Sequence, residues 1–460
     1  MSLSFLAPHD LPLACRLFDG MPKNKKASRA GGADRIGALP DAILQHVLSF
    51  LQAREAVRSC VLARRWRYLW KSIPVLRLTG CSPAKEFREF MDYLLVLRDR
   101  SPLDACLLNF SKVLGTDLRG DMHCVNLWIR YALLCQVRVL SVAFGGLYHL
   151  DIGHLPLVSR NLTNLELVNV HINKKLLCFS SCPSLEELKM TKCSFLVEEI
   201  FSRSLKRLRI EKCWFYEGRV RIFVPSLTSL ELTDAYGKVP FLEDMPALVT
   251  ATVRFTSACR ETRAKSERTA NEACGDTSCE CCNGAIAGEP KFCYDASCEC
   301  CYGYDDSKEG CVFLKGLSAA TDLKLIAETE LIILERDLRR CPTFSKLKTL
   351  PLNEWCVSGG HSALICILQH TPVLENLSLQ LSKVPDYIKP VKATYNLLEH
   401  SFASENLKIV EVTCEEVDER VHNIMKSLST CGIPLEKINI RQTNKSSGCF
   451  NFVCTGFSSP

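Results

Sequence analysis

Cysteine is the residue type whose number and spacing most suggest chemistry in this sequence. The chain has 27 cysteines, and ten of them lie within residues 259–311. Most of these ten belong to a duplicated pattern, D-T-S-C-E-C-C-N-G and D-A-S-C-E-C-C-Y-G, in which equivalent cysteines are 19 residues apart. Zinc favours four thiolates arranged as a tetrahedron, so two sets of four are candidate ligands. The eight are Cys274, Cys279, Cys281, Cys282, Cys293, Cys298, Cys300 and Cys301.

A polar loop is the alternative interpretation of this segment, and the one we favour. Zinc fingers commonly separate paired cysteines by two residues, whereas each copy here places two cysteines side by side. Glycine and aspartate within the segment are typical of an exposed loop, here expanded by tandem duplication. We therefore assign no metal ligand, and a structural zinc site in this insert stays the alternative.

The rest of the chain carries no enzyme signature. The sequence contains no Gly-rich phosphate loop followed by Lys and Ser/Thr, no H-E-x-x-H and no G-x-S-x-G. The 17 cysteines outside residues 259–311 mostly lie among apolar residues, where a free thiol behaves as a small hydrophobe. We predict a non-catalytic protein, and we assign it no cofactor.

Composition narrows the class of partner. The net charge is only +6, 47% of residues are hydrophobic, and no apolar run approaches the roughly 18–20 residues of a membrane span. The basic cluster Lys23, Lys25, Lys26 and Arg29 lies in a leader, residues 1–33, that we expect to be disordered. We therefore expect neither a membrane nor a nucleic acid as a partner, and we expect a location in the nucleus, the cytoplasm or both.

Three short amphipathic stretches follow the leader. They are the elements that would present a protein-binding surface in this part of the chain. Pro40, with its preset φ, suits the start of a helix, after which Ile43, Leu44, Val47, Leu48 and Leu51 recur at helical spacing. A second stretch spans Arg54 to Val61, and a predicted third helix carries Leu62, Trp66, Leu69 and Trp70. So small a segment cannot bury this much apolar surface by itself. We expect part of it to contact another protein.

The order of these residues resembles the F-box, above all the plant type. The matching residues are D-R-I-x-x-L-P-D-x-I-L-x-x-V-L-S-F-L and A-V-R-x-C-V-L-A-R-R-W-R-x-L-W within residues 34–71. The resemblance implies that this segment binds a Skp-family adaptor, and through it a cullin. The residues that it places at the adaptor contact are Leu39, Pro40, Ile43, Leu44, Leu48, Leu51, Leu62, Trp66, Leu69 and Trp70. Some of the ten must form the core of the F-box instead, and Trp66 and Trp70 are the expected anchors if they are exposed.

A short leucine repeat dominates the remainder of the chain. The pattern L-x-x-L-x-L begins at residues 162, 185, 205 and 227, and a degenerate copy begins at residue 248. The steps between copies are 20–23 residues, which is typical of leucine-rich repeats. Looser copies begin at 347, 374, 407 and 435. Their spacing leaves room for a helix in the segment that connects one strand to the next, and the predicted helices are Ser362–His370 and Glu416–Ser429. The Asn/Cys position of the repeat holds Cys193 and Cys213 in two copies. His171, His361 and His370 fall near repeat boundaries, where we expect surface positions.

Stacked repeats bury their leucines in one continuous core and form a parallel sheet on the concave side. An F-box, a short helical connector and degenerate repeats together resemble the plant F-box/leucine-rich-repeat family, over most of residues 34–440. The predicted fold class is α/β, a small three-helix F-box followed by a leucine-rich-repeat solenoid. The predicted segments are a leader (1–33), F-box (34–75), helical connector and first irregular repeat (76–136), repeats (137–256), Cys-rich insertion loop (257–311), irregular repeats (312–441) and C-terminal tail (442–460).

The resemblance implies the substrate-recognition subunit of a Skp/cullin/F-box ubiquitin ligase. Its target, a protein of unknown identity, is expected on the concave face, where alternate strand residues point away from the core. The candidates are Asn164, Glu166, Glu187, Lys189, Arg207, Arg209, Ser229 and Glu231. Lys189, Arg207 and Arg209 form a basic stripe that hints at an acidic or phosphorylated target, although exposed strand positions are often simply polar. A scaffold that works without a ligase is the alternative function.

Overall fold

The computed structural model shows two compact units, divided between residues 148 and 149. None of the helices among the described residues has the length and apolarity needed to cross a bilayer. The predicted leader, nearly all of the insertion with its eight candidate zinc ligands, and nearly all of the tail lie outside those residues. The structure describes residues 36, 38–80, 84–98, 100–110, 122–145, 149–151, 157–173, 179–216, 219–256, 259, 311–328, 332–338, 340–357, 361–382 and 406–443.

The first unit opens with two short helices, α1 (Asp41–Leu48) and α2 (Ala53–Arg58). Pro40 lies directly before α1, and a reciprocal capping box between Gln52 and Glu55 begins α2. The predicted third helix is wrong. Three 3₁₀ turns follow α2, the first at the end of the predicted second stretch and the other two in place of the third helix, because Ala63 is extended (φ −155°, ψ 160°) and interrupts the helical spacing. These turns span Ser59–Val61, Arg64–Arg67 and Leu69–Ser72.

Three parallel strands and two helices complete the first unit. Strand β2 pairs with β1 and with β3, so that Leu76, Cys106 and Leu140 lie side by side. Their core is aromatic, with Phe110 stacked on Trp128 at a ring-centroid distance of 5.7 Å. The elements are β1 (Val75–Thr79), α3 (Ala84–Leu97), β2 (Ala105–Phe110), α4 (Met122–Leu134) and β3 (Val139–Phe144).

The second unit contains the repeats, and each predicted copy supplies one strand of a parallel sheet. Equivalent leucines pair directly, as Leu165 does with Leu188 and Leu208 with Leu230. The alternating burial follows the L-x-L spacing, so the repeat pattern determines the register. The sheet strands, in spatial order, are β5 (Asn164–Val168), β7 (Glu187–Thr191), β10 (Arg207–Glu211), β13 (Ser229–Thr233), β16 (Thr250–Phe255), β17 (Asp322–Ala327), β18 (Thr349–Asn353), β19 (Asn376–Leu381), β20 (Ile409–Cys414) and β21 (Ile438–Gln442).

Each early strand ends in the same left-handed turn. Lys192 and Lys212 have φ of 53° and 54°, and their amides donate to the carbonyls of Glu211 and Thr233 in the next strand. The turn sends the following residue inward, into the Asn/Cys position of the repeat. Cys193 and Cys213 are fully buried there. The Cys193 thiol donates to the Leu167 carbonyl (3.4 Å), which ties one repeat to the previous one.

In the early repeats, the segments that connect one strand of the large sheet to the next (the returns) form short strands. These short strands were not predicted from the sequence. Two further parallel sheets form, and their aromatic residues stack in ladders, with Phe195 on Phe215 (4.8 Å) and Trp214 on Tyr236 (4.6 Å). Steps of 20–23 residues leave too few residues for a helix in these returns. The strands are β4 (Leu150–Asp151), β6 (Val170–Asn173), β8 (Ser194–Leu196), β11 (Trp214–Phe215) and β14 (Tyr236–Gly237) in one sheet, and β9 (Glu199–Phe201), β12 (Arg221–Phe223) and β15 (Phe241–Leu242) in the other.

The later, longer repeats carry helices α5 (Ile332–Leu338), α6 (Ser362–Gln369) and α7 (Glu419–Thr430), and the last two confirm the predicted helical returns. Helix α5 also holds a completely buried carboxylate, Asp337. Its two oxygens accept the backbone N–H groups of Val312 (2.9 Å), Phe313 (2.6 Å) and Leu314 (2.8 Å). The side chain thereby fixes the chain that enters the 3₁₀ turn Leu314–Leu317.

Gly237 is the position where the ladder of short strands needs glycine. Its φ is +89°, and an added Cβ would lie only 2.1 Å from the carbonyl oxygen of Phe215 in the paired strand. We expect Gly237→Ala to lower the free energy of unfolding of the repeat unit by about 2–3 kcal/mol, through backbone strain and displacement of β11. Urea denaturation measures the change, with the exposed neighbour Lys238→Ala as a control expected near the wild-type value. Equal stability of the two variants would contradict this account of the turn.

Candidate functional site

The exposed face of α1 is the main apolar surface of the first unit. Leu39, Ile43, Val47 and Leu51 form a row at four-residue intervals along the sequence, and all four are exposed. Ile43 and Val47 lie within α1 and so share one helix face, while Leu39 and Leu51 flank the helix in sequence. Phe50, which is 65% exposed, lies next to this row and meets the ring of His46 edge-on. A concentration of exposed apolar side chains of this kind is typical of interaction surfaces.

The loop and turn after α2 add to this surface in the same segment. Leu62 is 70% exposed, and Val61 and Tyr68 are also open to solvent. Nine of the 21 exposed large hydrophobic side chains among the described residues fall between residues 36 and 68. We call these nine the F-box apolar surface: Ile36, Leu39, Ile43, Val47, Phe50, Leu51, Val61, Leu62 and Tyr68.

The structure divides the ten residues that the resemblance placed at the adaptor contact. Leu39, Pro40, Ile43, Leu51 and Leu62 are exposed, and Trp66 is half-buried. The remaining four, Leu44, Leu48, Leu69 and Trp70, form the core, with Leu44 completely buried. The Trp70 indole donates to the Arg67 carbonyl (3.1 Å), so the condition for Trp70 as an exposed anchor is not met.

Other members of the F-box apolar surface were missing from the predicted contact set. Val47 and Phe50 lie within the first matching motif, and Val61 and Tyr68 lie within the second. The helical spacing of Val47 from Ile43 and Leu51 was the signal that could have identified it. Val61 and Tyr68 carry no such signal, because Val61 ends a 3₁₀ turn and Tyr68 lies between two others, so neither is on a helical face.

Polar contacts hold the F-box segments that present this surface. Arg65 bonds Asp41 through two nitrogens (2.6 and 2.8 Å) and links the start of α1 to the second 3₁₀ turn. Arg77 of β1 donates to the Ser49 carbonyl (3.1 Å) at the end of α1. The Asp41–Arg65 pair is exposed and contributes about 0–1 kcal/mol, so its effect is on geometry more than on stability.

Comparison with known proteins agrees with this arrangement. The F-box domain family model matches residues 36–78, the segment that carries the apolar surface. An F-box/LRR-repeat protein of Arabidopsis thaliana is 32% identical over 256 residues, covering 46% of this chain and 65% of the relative. The meiotic F-box protein MOF of Oryza sativa subsp. japonica is 26% identical over 393 residues, covering 76% of this chain and 72% of MOF. The chain carries an F-box and is similar to plant F-box/LRR-repeat proteins.

Coverage differs among the relatives of this F-box/LRR protein. An F-box/FBD/LRR-repeat protein of Arabidopsis thaliana is 26% identical over 257 residues, which cover 48% of this chain. The chain spans 65%, 54% and 60% of the length of three of the Arabidopsis relatives. The similarity therefore covers about half of this chain and part of each of these relatives.

The repeat strands bring the eight predicted target-binding residues together on adjacent strands of the F-box/LRR protein. Asn164, Glu187, Arg207 and Ser229 occupy one row across β5, β7, β10 and β13, and Glu166, Lys189, Arg209 and Glu231 occupy the next. All eight are at least partly exposed.

The basic stripe predicted on these strands is neutralised within the protein. Lys189 pairs with Glu166 (2.7 Å), Arg207 with Glu187 (2.9 Å), and Arg209 with both Glu211 and Glu231 (3.1 Å each). Four carboxylates thus surround three cations. A net attraction for an acidic or phosphorylated target does not follow from this arrangement.

Several buried cysteines, in both units, are placed for packing. Burial raises the pKa of the Cys106 thiol to about 12, and burial with the nearby Asp337 carboxylate raises that of Cys311 to about 12. Burial also raises the pKa of Cys356, whose thiol donates to the Asn353 carbonyl (3.2 Å). Thiols held in the protonated form are poor nucleophiles and structural in character.

Proposed function

We propose that this protein is the substrate-recognition subunit of a Skp/cullin/F-box ubiquitin ligase. The observation that carries the proposal is the F-box apolar surface, in which nine large hydrophobic side chains are exposed within one short segment. A Skp-family adaptor is the proposed occupant of this surface, and a cullin joins through the adaptor. Family membership supports the choice of occupant, and the exposed residues supply the contact.

In this proposal the first unit binds the adaptor and the repeat unit binds the target. Apolar side chains at the centre of an interface contribute most of the binding free energy, which suits Ile43, Phe50 and Leu62 as adaptor contacts. The concave strands of the repeat unit, with their rows of paired charges, are proposed to hold the target. Because the charges are neutralised internally, selection of the target would depend on shape and hydrogen bonding, with alternating charges to match.

The protein itself performs no chemistry in this proposal. Joining a target to a ligase complex makes transfer of ubiquitin nearly intramolecular, and the gain comes from the raised effective concentration. The activated ubiquitin and the catalytic ring component belong to other subunits. The raised pKa values of the buried Cys106 and Cys356 thiols agree with a receptor role.

Co-purification with quantitative mass spectrometry tests the proposal. The full chain, expressed with a tag in plant cells, is expected to recover a Skp-family adaptor and a cullin together at comparable stoichiometry. Recovery of the adaptor without a cullin would instead favour the ligase-independent scaffold. Recovery of neither would overturn the proposal.

A further inference from the structure

A second group of chemically reactive side chains lies in the repeat unit, outside the surfaces described above. The thiol sulfurs of Cys341 and Cys366 and a ring nitrogen of His370 all lie within 4.8 Å of one another. Cys366 is buried, whereas Cys341 and His370 are half-buried, so the group is shielded but still reachable from solvent. No other three Cys, His or carboxylate side chains converge in this way within the part of the chain that the structure describes.

Backbone structure fixes these three side chains in place. Cys366 lies in α6, and His370 is the first residue after the end of this helix. The two residues are four positions apart, so their side chains project from the same side of the helix end. Cys341 lies in the segment that leads towards β18. The carbonyl of His370 accepts the N–H of Phe344 (2.8 Å), which holds this segment beside the end of α6.

The imidazole of His370 is oriented as in metal sites. Its Nδ1 lies 2.8 Å from the carbonyl oxygen of Cys366. A carbonyl can only accept, so Nδ1 carries the proton in the neutral ring and Nε2 keeps a free lone pair. Metal-ligating histidines commonly donate their second ring N–H to a backbone carbonyl in this manner. The sequence predicted a surface position for His370. In the structure the residue is half-buried, and its hydrogen bond to the Cys366 carbonyl fixes the tautomer of the ring.

The two thiols are close partners as well. The sulfurs of Cys341 and Cys366 lie within 4.8 Å of each other, and the thiols donate to the carbonyls of Pro342 (3.6 Å) and Leu338 (3.4 Å), respectively. A single buried thiol is ordinarily a small hydrophobe with a weak donor. Here two sulfurs and an imidazole nitrogen converge from separate parts of the chain, and such a group of atoms can donate to a metal ion.

We propose that Cys341, Cys366 and His370 bind a zinc ion. Zn–S and Zn–N distances of about 2.3 and 2.0–2.1 Å place tetrahedral ligand atoms about 3.5–3.8 Å apart. The three atoms, which lie within 4.8 Å of one another, therefore need to approach by about 1.3 Å at most. Sulfur and imidazole ligands favour zinc over magnesium or calcium, which prefer oxygen. Each thiol releases its proton to solvent on binding, and the two thiolates balance the charge of the ion. A water molecule or a further donor completes the tetrahedron.

A zinc ion at this position would link consecutive repeats. It would join the segment before β18 to the end of α6, the helix that follows the same strand. Because the unfolded chain has no preformed site, metal binding stabilises the folded repeat unit. The three proposed ligands lie outside the Cys-rich insert in sequence.

Cobalt and zinc titrations of the reduced full-length chain test the proposal. Tetrahedral thiolate ligation gives Co²⁺ a sulfur-to-metal charge-transfer band, which zinc is expected to displace. We expect His370→Asn and Cys341→Ser each to bind one metal equivalent less than wild type and to lose the zinc-dependent rise in melting temperature. Asparagine at 370 retains an N–H for the Cys366 carbonyl but lacks Nε2, so the variant removes the ligand atom while preserving the helix end.

Matched controls come from the C-terminal helix. His422 donates from Nδ1 to the Asp418 carbonyl (2.9 Å) with the same four-residue spacing, and Cys431 is half-buried like Cys341. His422→Asn and Cys431→Ser are expected to bind as many equivalents as wild type. All variants keep the cysteines of the insert, so any metal bound there cancels in the comparison. Unchanged stoichiometry in His370→Asn and Cys341→Ser would overturn the proposal.

A measurement on the wild-type chain keeps the test independent of how well the variants fold. Alkylation with iodoacetamide, followed by peptide mass spectrometry, reports each thiol separately. Zinc is expected to slow modification of Cys341 at least tenfold and to leave Cys431 unaffected. Equal rates with and without zinc would refute the site, as would a disulfide between Cys341 and Cys366 in the native protein.

Discussion

Replacing Leu39 and Pro40 with alanine is expected to weaken binding of a Skp-family adaptor at least about 100-fold, equivalent to about 2.8 kcal/mol. Both side chains are exposed at the start of the F-box apolar surface, where they are available to a partner. The backbone of α1 survives the change, because the Pro40 carbonyl still accepts the amides of Ile43 (3.0 Å) and Leu44 (3.1 Å). Surface plasmon resonance with purified adaptor measures the loss, and circular dichroism checks that the chain remains folded.

Two other substitutions separate contact from stability. Val96 and Leu134 are also highly exposed residues of the first unit, so Val96→Ala with Leu134→Ala removes similar apolar area outside the F-box and should leave adaptor affinity unchanged. Leu44 is completely buried, and Leu44→Ala should cost about 2–5 kcal/mol of stability through the cavity it creates. Persistent adaptor binding by the Leu39/Pro40 variant would show that the contact face lies elsewhere.

Loss of the buried carboxylate of Asp337 is expected to have the largest effect on the repeat unit. Asp337→Ala leaves the N–H groups of Val312, Phe313 and Leu314 without the acceptor that they share. Each buried, unsatisfied N–H costs about 1–3 kcal/mol, so we expect a total loss of about 3–5 kcal/mol or more. Urea denaturation followed by tryptophan fluorescence measures the change, since Trp355 lies in the core of this unit.

An aspartate on the surface of the same unit provides the control. Asp322 is exposed at the start of β17, and Asp322→Ala should change stability by no more than about 0.5 kcal/mol. Asp337→Asn is informative too, because it keeps one oxygen and turns an amide N–H₂ towards the remaining donors. We expect its stability to fall between those of wild type and Asp337→Ala. Equal stability of Asp337→Ala and Asp322→Ala would rule out the proposed role of the buried carboxylate.

Periodicity explains why so much of the fold could be predicted. Alternate residues of a strand point to opposite faces, so L-x-L spacing determines both the strand and its register, as the pairing of Leu188 with Leu208 shows. The same reasoning located the buried Cys193 and Cys213 after each strand. It failed at the third F-box helix, since the extended backbone of Ala63 leaves little trace in the residue pattern. It also missed the short return strands, whose sequences do not alternate clearly.

By itself, the sequence determined that this chain combines an F-box with leucine-rich repeats, because both depend on local spacing of apolar residues. Only the tertiary structure decided which apolar residues are exposed, placing Leu44 and Trp70 in the core and Leu62 in solvent. It also decided that Arg207 meets Glu187 and that Cys341 meets Cys366 and His370. Such partners are 20 or more residues apart, and their approach depends on how the repeats stack, which no local pattern encodes.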